Sequence, residues 1–264
     1  DVAFPVLHGI GGEDGTIQGM LEMLKVPYVG CGVLSSAVGM DKVYTKIVFE
    51  KAQIPQTKYI SVYKKEDKYY IQKEDMEEEQ LKIEHITGKL KFPMFVKPSN
   101  SGSSVGVKKV KDIGELKLAI ENASKYDRKI IVEEGIDGIE LECGILEDEE
   151  LKVSTVGEIK PAEEFYSFDA KYNIPESKTI IPANINKSKI EEIQKLAIKA
   201  FKTIDGRGLA RVDFFLEKAT NKIYINEINT MPGFTPISMY PKLFENSKIK
   251  YSELIDKLIQ NAIK

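Results

Sequence analysis

Three oxygen-bearing side chains and a guanidinium sit close together in two neighbouring segments. Arg211 and Asp213 belong to Leu209-Ala-Arg-Val-Asp-Phe-Phe-Leu216, and Glu227 and Asn229 to Lys222-Ile-Tyr-Ile-Asn-Glu-Ile-Asn229. In an extended chain successive side chains alternate between faces, so Leu209, Arg211, Asp213 and Phe215 share one face and Ala210, Val212 and Phe214 the other. Glu227 and Asn229 likewise point the same way. Glu217-Lys-Ala-Thr-Asn221 reads as the turn of a hairpin. Folding it about residue 219 sets Glu227 nearly opposite Arg211. Asp213 becomes a diagonal neighbour at about 7–8 Å between backbones, near enough for one cation to bridge. Hard divalent ions such as Mg²⁺ take this donor set, with phosphate and water completing the shell. On spacing alone, an exposed hairpin face carrying a surface ion pair is equally open. The apolar opposite face and the flanking Leu209-Ala210 and Met231-Pro-Gly-Phe234 count against it.

A metal held by carboxylates implies a phosphate-bearing substrate. Lys97 closes the apolar run Phe92-Pro-Met-Phe-Val96, and Ser99-Asn-Ser-Gly-Ser-Ser-Val-Gly106 follows it. A loop of small residues can turn backbone N–H groups and hydroxyls onto phosphate oxygens. The Gly-Lys-Ser/Thr ending of a Walker A loop is absent. Lys42 and Lys97 are candidate phosphate cations, each weak taken alone.

The elements that must carry these residues alternate short apolar runs with helix-period segments, so a mixed α and β protein is expected. Val2–Leu7 reads as a buried strand. Because the chain opens on it, further residues are expected upstream. A glycine-rich loop from His8 to Gly15 follows, then a helix with Ile17, Met20, Leu21 and Leu24 on one face, ended by Pro27. Asp41–Lys46 opens a helix that stops before Pro55. Residues 63–91, with Glu77-Glu-Glu79 and His85, read as a charged, solvated excursion between strands. Asp112 with Glu115, and Ser188 with Glu191, read as capping boxes. Strands are expected at 129–132 and within 139–159, a long loop over Glu163–Lys178, and a last amphipathic helix near Ser252–Ile263.

With 264 residues the chain can hold one large or two modest domains. The net charge of −3 favours neither nucleic acid nor an acidic membrane as partner. Cys31 and Cys143 lie far apart, which suggests no disulfide framework and fits a reducing compartment. No apolar run reaches the roughly 20 residues of a membrane helix, and no segment reads as a signal peptide. A cytoplasmic location is expected.

Six segments in this order resemble the ATP-grasp superfamily and, within it, the D-alanine–D-alanine ligase family. They are LHGIGGEDGTIQG (Leu7–Gly19), MDK (Met40–Lys42), FVKPSNSGSSVG (Phe95–Gly106), EEFYSFDAKY (Glu163–Tyr172), LARVDFF (Leu209–Phe215) and NEINTMPGFTPISMYP (Asn226–Pro241). The resemblance runs from Asp1 to the C-terminus, and the segments are specific together where none is alone. It implies an α/β (α+β) ATP-grasp fold with the nucleotide between two antiparallel sheets. It further implies the remnant of an N-terminal α/β domain (1–30), a central subdomain (31–133) and a C-terminal catalytic subdomain (134–264). Also implied are ATP, two Mg²⁺ or Mn²⁺ ions, D-alanine as substrate and a homodimer. In the expected reaction ATP phosphorylates the carboxylate of one D-alanine, and the amine of a second attacks the acyl phosphate.

Site roles follow from the resemblance alone. Lys42 and Lys97, with Ser104 of the small-residue loop, are expected on the ATP phosphates. Glu133, Glu134 and Ile136 form the hinge that receives adenine, and Glu140 meets the ribose. Asp213, Glu227 and Asn229 hold the metals. Arg211 and the N–H of Gly233 stabilise the oxyanion of the tetrahedral intermediate. Ser238 and Met239 clamp the second substrate's carboxylate, and His8 and Glu13 line the first substrate's site. Lys171 reaches the γ-phosphate from the long loop, which becomes a lid excluding water, and Tyr172 with Ser103 holds it shut. Two departures stand out. The family's N-terminal segment with a glutamate for the first substrate's amine is not in these residues. Gly135 replaces a large apolar or aromatic residue, which predicts a looser adenine pocket. The competing readings are a D-alanine–D-serine ligase, a D-lactate ligase (which Tyr172 disfavours), and an ATP-binding relative that has lost catalysis.

Overall fold

The computed structural model describes residues 1–73, 77–102, 105–160 and 178–264. Two antiparallel sheets dominate it. The first contains β1 (Tyr59–Lys65), β2 (Lys68–Gln72), β3 (Glu78–Gln80), β4 (Met94–Pro98), β5 (Lys108–Val110) and β6 (Lys129–Glu134), in the spatial order β3-β2-β1-β6-β4-β5. The second contains β7 (Gly138–Glu147), β8 (Leu151–Lys160), β9 (Lys178–Ile180), β10 (Leu209–Glu217) and β11 (Ile223–Asn229), in the order β11-β10-β7-β8-β9. Residues 135–137 alone join β6 to β7, so one sheet hands directly to the other.

Each sheet buries one face under helices. Val62, Met94, Val96, Ile130 and Val132 alternate inward beneath α4 (Ile83–Thr87) and α5 (Ile113–Ala123). Asp112 caps α5 by accepting from the Glu115 N–H at 2.9 Å, while the Glu115 side chain accepts from the Lys111 N–H and not from that of Asp112, so half of the first expected box forms. On the second sheet Ala210, Val212, Phe214, Cys143 and Ile145 pack against α6 (Lys187–Thr203), which contributes Ile193, Ala197, Ala200 and Phe201 at helical spacing. Truncating a fully buried Phe201 or Phe214 would cost about 3–5 kcal/mol. The N-cap of α6 is Asn186 and makes no side-chain capping bond, so the expected Ser188–Glu191 box lies two residues too far in. The opposite face of this sheet is covered at one end by α7 (Met239–Asn246) and α8 (Tyr251–Ala262), where Tyr240, Phe244, Leu254 and Leu258 meet Leu146 and Leu209.

Three further expectations are corrected. Val2–Leu7 is not a strand: Ala3 makes one parallel bridge to Tyr28, and Leu7 is exposed. Pro5 offers no donor, and the N–H groups of Val6 and Leu7 bond locally to Phe4 and Pro5. The charged stretch 63–91 is no plain excursion but includes β2, β3 and α4. Tyr69, Ile71, Leu81 and Ile83 pack onto the core while the lysines and glutamates take the other face. In α1 (Thr16–Met23) Leu21 is buried, but Met20 and the following Leu24 are exposed. Besides α4, two helices were not expected, α7 and α2 (Val33–Met40). The helix expected after Asp41 is α3 (Lys42–Lys51), capped by Asp41 through the N–H groups of Val43 and Tyr44 at 3.1 and 3.2 Å.

Candidate functional site

The site is built on the β10–β11 pair, in a register that differs from simple folding about residue 219. Arg211 pairs with Asn229 and Asp213 with Glu227, and the ladder then shifts so that Phe214 pairs with Ile225. Asn226 is therefore an extra residue in β11, a β-bulge. The correction has a physical origin. Strict alternation would put Ile223, Ile225, Glu227 and Asn229 on one face, mixing core and polar groups. The bulge changes phase between them, so Ile223, Ile225 and Ile228 are all buried in the core while Glu227 and Asn229 stay on the Asp213 face. Asn226 and Glu227 both line the narrow cleft between the sheets.

Arg211 grips Asp213 with two hydrogen bonds, Nε to Oδ1 at 2.7 Å and Nη2 to Oδ2 at 2.8 Å. Such a fork fixes the guanidinium plane. Its Nε is also 3.0 Å from Glu142 Oε2, across in β7. Asn229 donates to Asp213 Oδ2 at 3.0 Å. Burial alone would disfavour the charged arginine. Asp213 and Glu142 more than offset it, holding Arg211 protonated well above its ordinary range.

The facing wall comes from the first sheet and α3. Lys97 Nζ and Lys46 Nζ each lie 2.7 Å from one oxygen of Glu133, which also accepts from Thr57 at 3.0 Å. Burial would raise the Glu133 carboxyl, but the two lysines overcome it and hold it far below the usual carboxylate range. Lys97 is held above its ordinary value, with burial opposed by Glu133, Glu227 and Glu140. Lys46, deeper and nearly sealed from solvent, is pushed down because burial outweighs Glu133. Lys42 Nζ donates to Ser101 O at 2.6 Å, so it touches the small-residue loop. That loop is anchored by Asp41, which pairs with Lys129 and accepts from Ser99 Oγ at 2.6 Å. Lys42, Lys46, Lys97, Glu133, Asn226 and Glu227 line one cleft, the three lysines with Glu133 on one wall and Asn226 with Glu227 on the other.

The two outer loops meet the same place. Glu13 Oε2 accepts from the Gly9 N–H at 2.6 Å. Burial raises its carboxyl, with Glu227 adding to the rise and His8 and Arg211 opposing it, so all of these groups share one field. A Cβ added at Gly102 would come within van der Waals range of Gly9 and Glu13. Gly233 lies so close to Ser238 that a Cβ would meet its Oγ at 2.6 Å, and His8 Nε2 is the next neighbour at 3.9 Å. Ser238 bonds to Thr235 through both its hydroxyl and its N–H. The Met239 side chain is buried against Ile159 and Leu243, which leaves only its backbone for a ligand.

The expected hinge residues have partners within the fold. Glu133 is engaged by lysines, and Glu134 accepts from the Lys91 N–H at 2.9 Å and is half-buried, as is Ile136. Gly135 is not a loose spot: a Cβ there would meet Pro93 O at 2.9 Å and the Phe95 ring at 3.2 Å, so the chain itself fills the space. Glu140 faces the cleft two residues before Glu142, opposite Phe215. Ser103, Ser104, Lys171 and Tyr172 lie outside the described residues, as does the expected lid except Lys178, which begins β9. Sequence reasoning missed Glu142, Lys46 and Asp41. Glu142 shares its spacing with Glu140, and Lys46 lies one helical turn after Lys42, so both signals were present.

Among the described residues no three His, Cys, Asp or Glu side chains converge into a self-sufficient metal cage. Asp213 opposite Glu227, with the Asn229 amide beside them, is a sparser set. It fits Mg²⁺ or Mn²⁺, which keep waters and bind through one or two carboxylates plus phosphate.

Comparison with known proteins agrees with this geometry. Residues 48–260 match the family described as D-ala D-ala ligase C-terminus, and residues 1–31 match D-ala D-ala ligase N-terminus. A D-alanine–D-alanine ligase of Acetivibrio thermocellus is 56% identical over 263 residues, covering 100% of this chain and 68% of the relative. The structure of the Coxiella burnetii D-alanine–D-alanine ligase superposes with a TM-score of 0.83 at 38% identity, over 100% of this chain and 68% of that one. The VanG D-Ala:D-Ser ligase of Enterococcus faecalis gives 0.86 at 37%, over 99% of this chain and 73% of that one.

Proposed function

The chain belongs to the D-alanine–D-alanine ligase family, and on that premise we propose that it condenses two D-alanines, converting ATP to ADP and phosphate, to supply D-alanyl-D-alanine for peptidoglycan precursors. The observation that carries this reading is the set of lysines Lys42, Lys46 and Lys97 lining one cleft with Glu227, whose charge also bears on Glu13 beside Arg211.

ATP lies between the sheets, its phosphates toward Lys42 and Lys97 and the small-residue loop with Ser104. Glu133, Glu134 and Ile136 form the hinge that receives adenine, and Glu140 offers the ribose contact. Glu133 sets the position of Lys97. Asp213, Glu227 and Asn229 would hold two Mg²⁺ or Mn²⁺ ions, which when bound neutralise phosphate charge. Glu13 and His8 orient the first D-alanine so that its carboxylate oxygen attacks the γ-phosphorus, giving an acyl phosphate and ADP. Ser238 and the backbone of Met239 hold the second D-alanine by its carboxylate. Its neutral amine attacks the acyl carbon, and the oxyanion that forms is met by Arg211 and the Gly233 N–H. The nitrogen loses a proton, the carbonyl re-forms and phosphate leaves. Lys171, Tyr172 and Ser103 are assigned to a closing lid that keeps water from the acyl phosphate.

The proposal extends to the divisions 1–30, 31–133 and 134–264, to a homodimer, and to a cytoplasmic enzyme. None of the described helices is long and apolar enough to cross a membrane. A D-serine preference is the second reading, supported by the likeness to VanG, but that likeness is at 37% identity against 56% for the D-alanine enzyme. The test is phosphate release and product mass with D-alanine, D-serine and D-lactate competing as second substrate. D-Alanine-dependent release with D-alanyl-D-alanine as the main product is expected. Release strongest with D-serine, or none with any amino acid, overturns the reading.

A further inference from the structure

The strand register places Asp213 in the middle of a row. On one side Glu227 faces it from β11, and on the other Glu142 faces it from β7. Glu142 is 8% exposed, and its Oε2 stands in ion-pair contact, at 3.0 Å, with the Arg211 Nε whose N–H is donated to Asp213. Three neighbouring carboxylates repel one another, and one guanidinium serves two of them.

We propose that Glu142 is a positioning residue that anchors Arg211 from the β7 side, so that Asp213 can ligate a divalent cation without releasing the arginine. The inference rests on the proposed reading of Asp213 as a metal ligand. A cation on Asp213 draws the charge and a lone pair away from the Arg211 fork. With Asp213 as sole anchor, ion and arginine would compete for the same two oxygens. Glu142 stands on the side of Asp213 away from Glu227, so a cation shared by Asp213 and Glu227 leaves the Glu142–Arg211 contact in place.

Mn²⁺ titration with ADP, read from the free-ion resonance, tests this without turnover. Glu142→Gln and Glu142→Asp should each raise the Mn²⁺ Kd on the order of tenfold, the usual cost of losing an outer-shell partner. Glu142→Asp keeps the charge but withdraws the carboxylate from Arg211. In an Arg211→Met background the Glu142→Asp effect should vanish. Parent-like binding by Glu142→Asp beside weak binding by Glu142→Gln would assign the effect to through-space charge and overturn the proposal. An undiminished effect in the Arg211→Met background would also overturn it, as would parent-like binding by both variants while Asp213→Ala is weak. Parent-like binding by Asp213→Ala would instead sink the metal assignment itself. Thermal melts run alongside establish that each variant is folded.

Discussion

Asp213 stands directly opposite Glu227 because a single residue, Asn226, is bulged out of the ladder between β10 and β11. The bulge lets two consecutive residues face the cleft and keeps Ile225 and Ile228 in the core despite their three-residue spacing. It also aligns Arg211 with Asn229, so the guanidinium sits one step along from the carboxylate pair.

Arg211 is therefore expected to be intolerant of even a conservative change. Lysine cannot fork onto Asp213 while reaching Glu142, and it presents a mobile point charge in place of a fixed plane. Arg211→Lys should lower kcat by about 10²–10³, the usual loss when one oxyanion donor is removed, with a much smaller change in the KM for ATP. Steady-state kinetics with a melting curve checks this. A kcat within threefold of the parent would remove Arg211 from the reaction centre.

Glu133 ties Lys46, Lys97 and Thr57 into one buried network. Glu133→Gln leaves two buried lysines without their counter-charge and should destabilise the fold by about 3–5 kcal/mol. The pH dependence has a definite sign. Glu133 is depressed from an ordinary value of 4.5, so its ionic stabilisation is full above that pH and is lost as pH falls toward the lowered folded value. Denaturant melts of parent and variant should differ by a constant amount above roughly pH 5, and the gap should narrow below about pH 4.5. A gap that widens on acidification would contradict the network.

Gly233 leaves no room for a methyl group, since its Cβ would stand 2.6 Å from Ser238 Oγ. Gly233→Ala should push Ser238 off Thr235 and raise the KM for the second substrate on the order of tenfold, about 1.4 kcal/mol. The KM for ATP should change little. Equal changes in both constants would point to a general loss of the fold.

The two ends of the inference, residue chemistry and fold, were not equally readable from the chain. Arg211 with Asp213, and Glu227 with Asn229, can each be placed on a shared face because strand alternation is local: which side chains share a face follows from backbone geometry over a few residues. Lys97 before a small-residue loop, the Asp112 cap, and the helical spacing of Ile193, Ala197, Ala200 and Phe201 are local in the same sense. The phase change at Asn226 was written in the spacing of Ile225 and Ile228, but alternation read without the core hides it. What no local pattern could supply was pairing across distance. Glu133 reads as a hinge residue, and its second partnership with Lys46 and Lys97, from a helix and another strand, exists only once the fold brings them together. Glu142 reads as one of many glutamates until β7 is laid beside β10. Val2–Leu7 reads as a strand until its neighbours are counted. A buried charge takes its meaning from the partner that desolvation obliges it to find, and that partner is fixed by the fold, not by sequence distance.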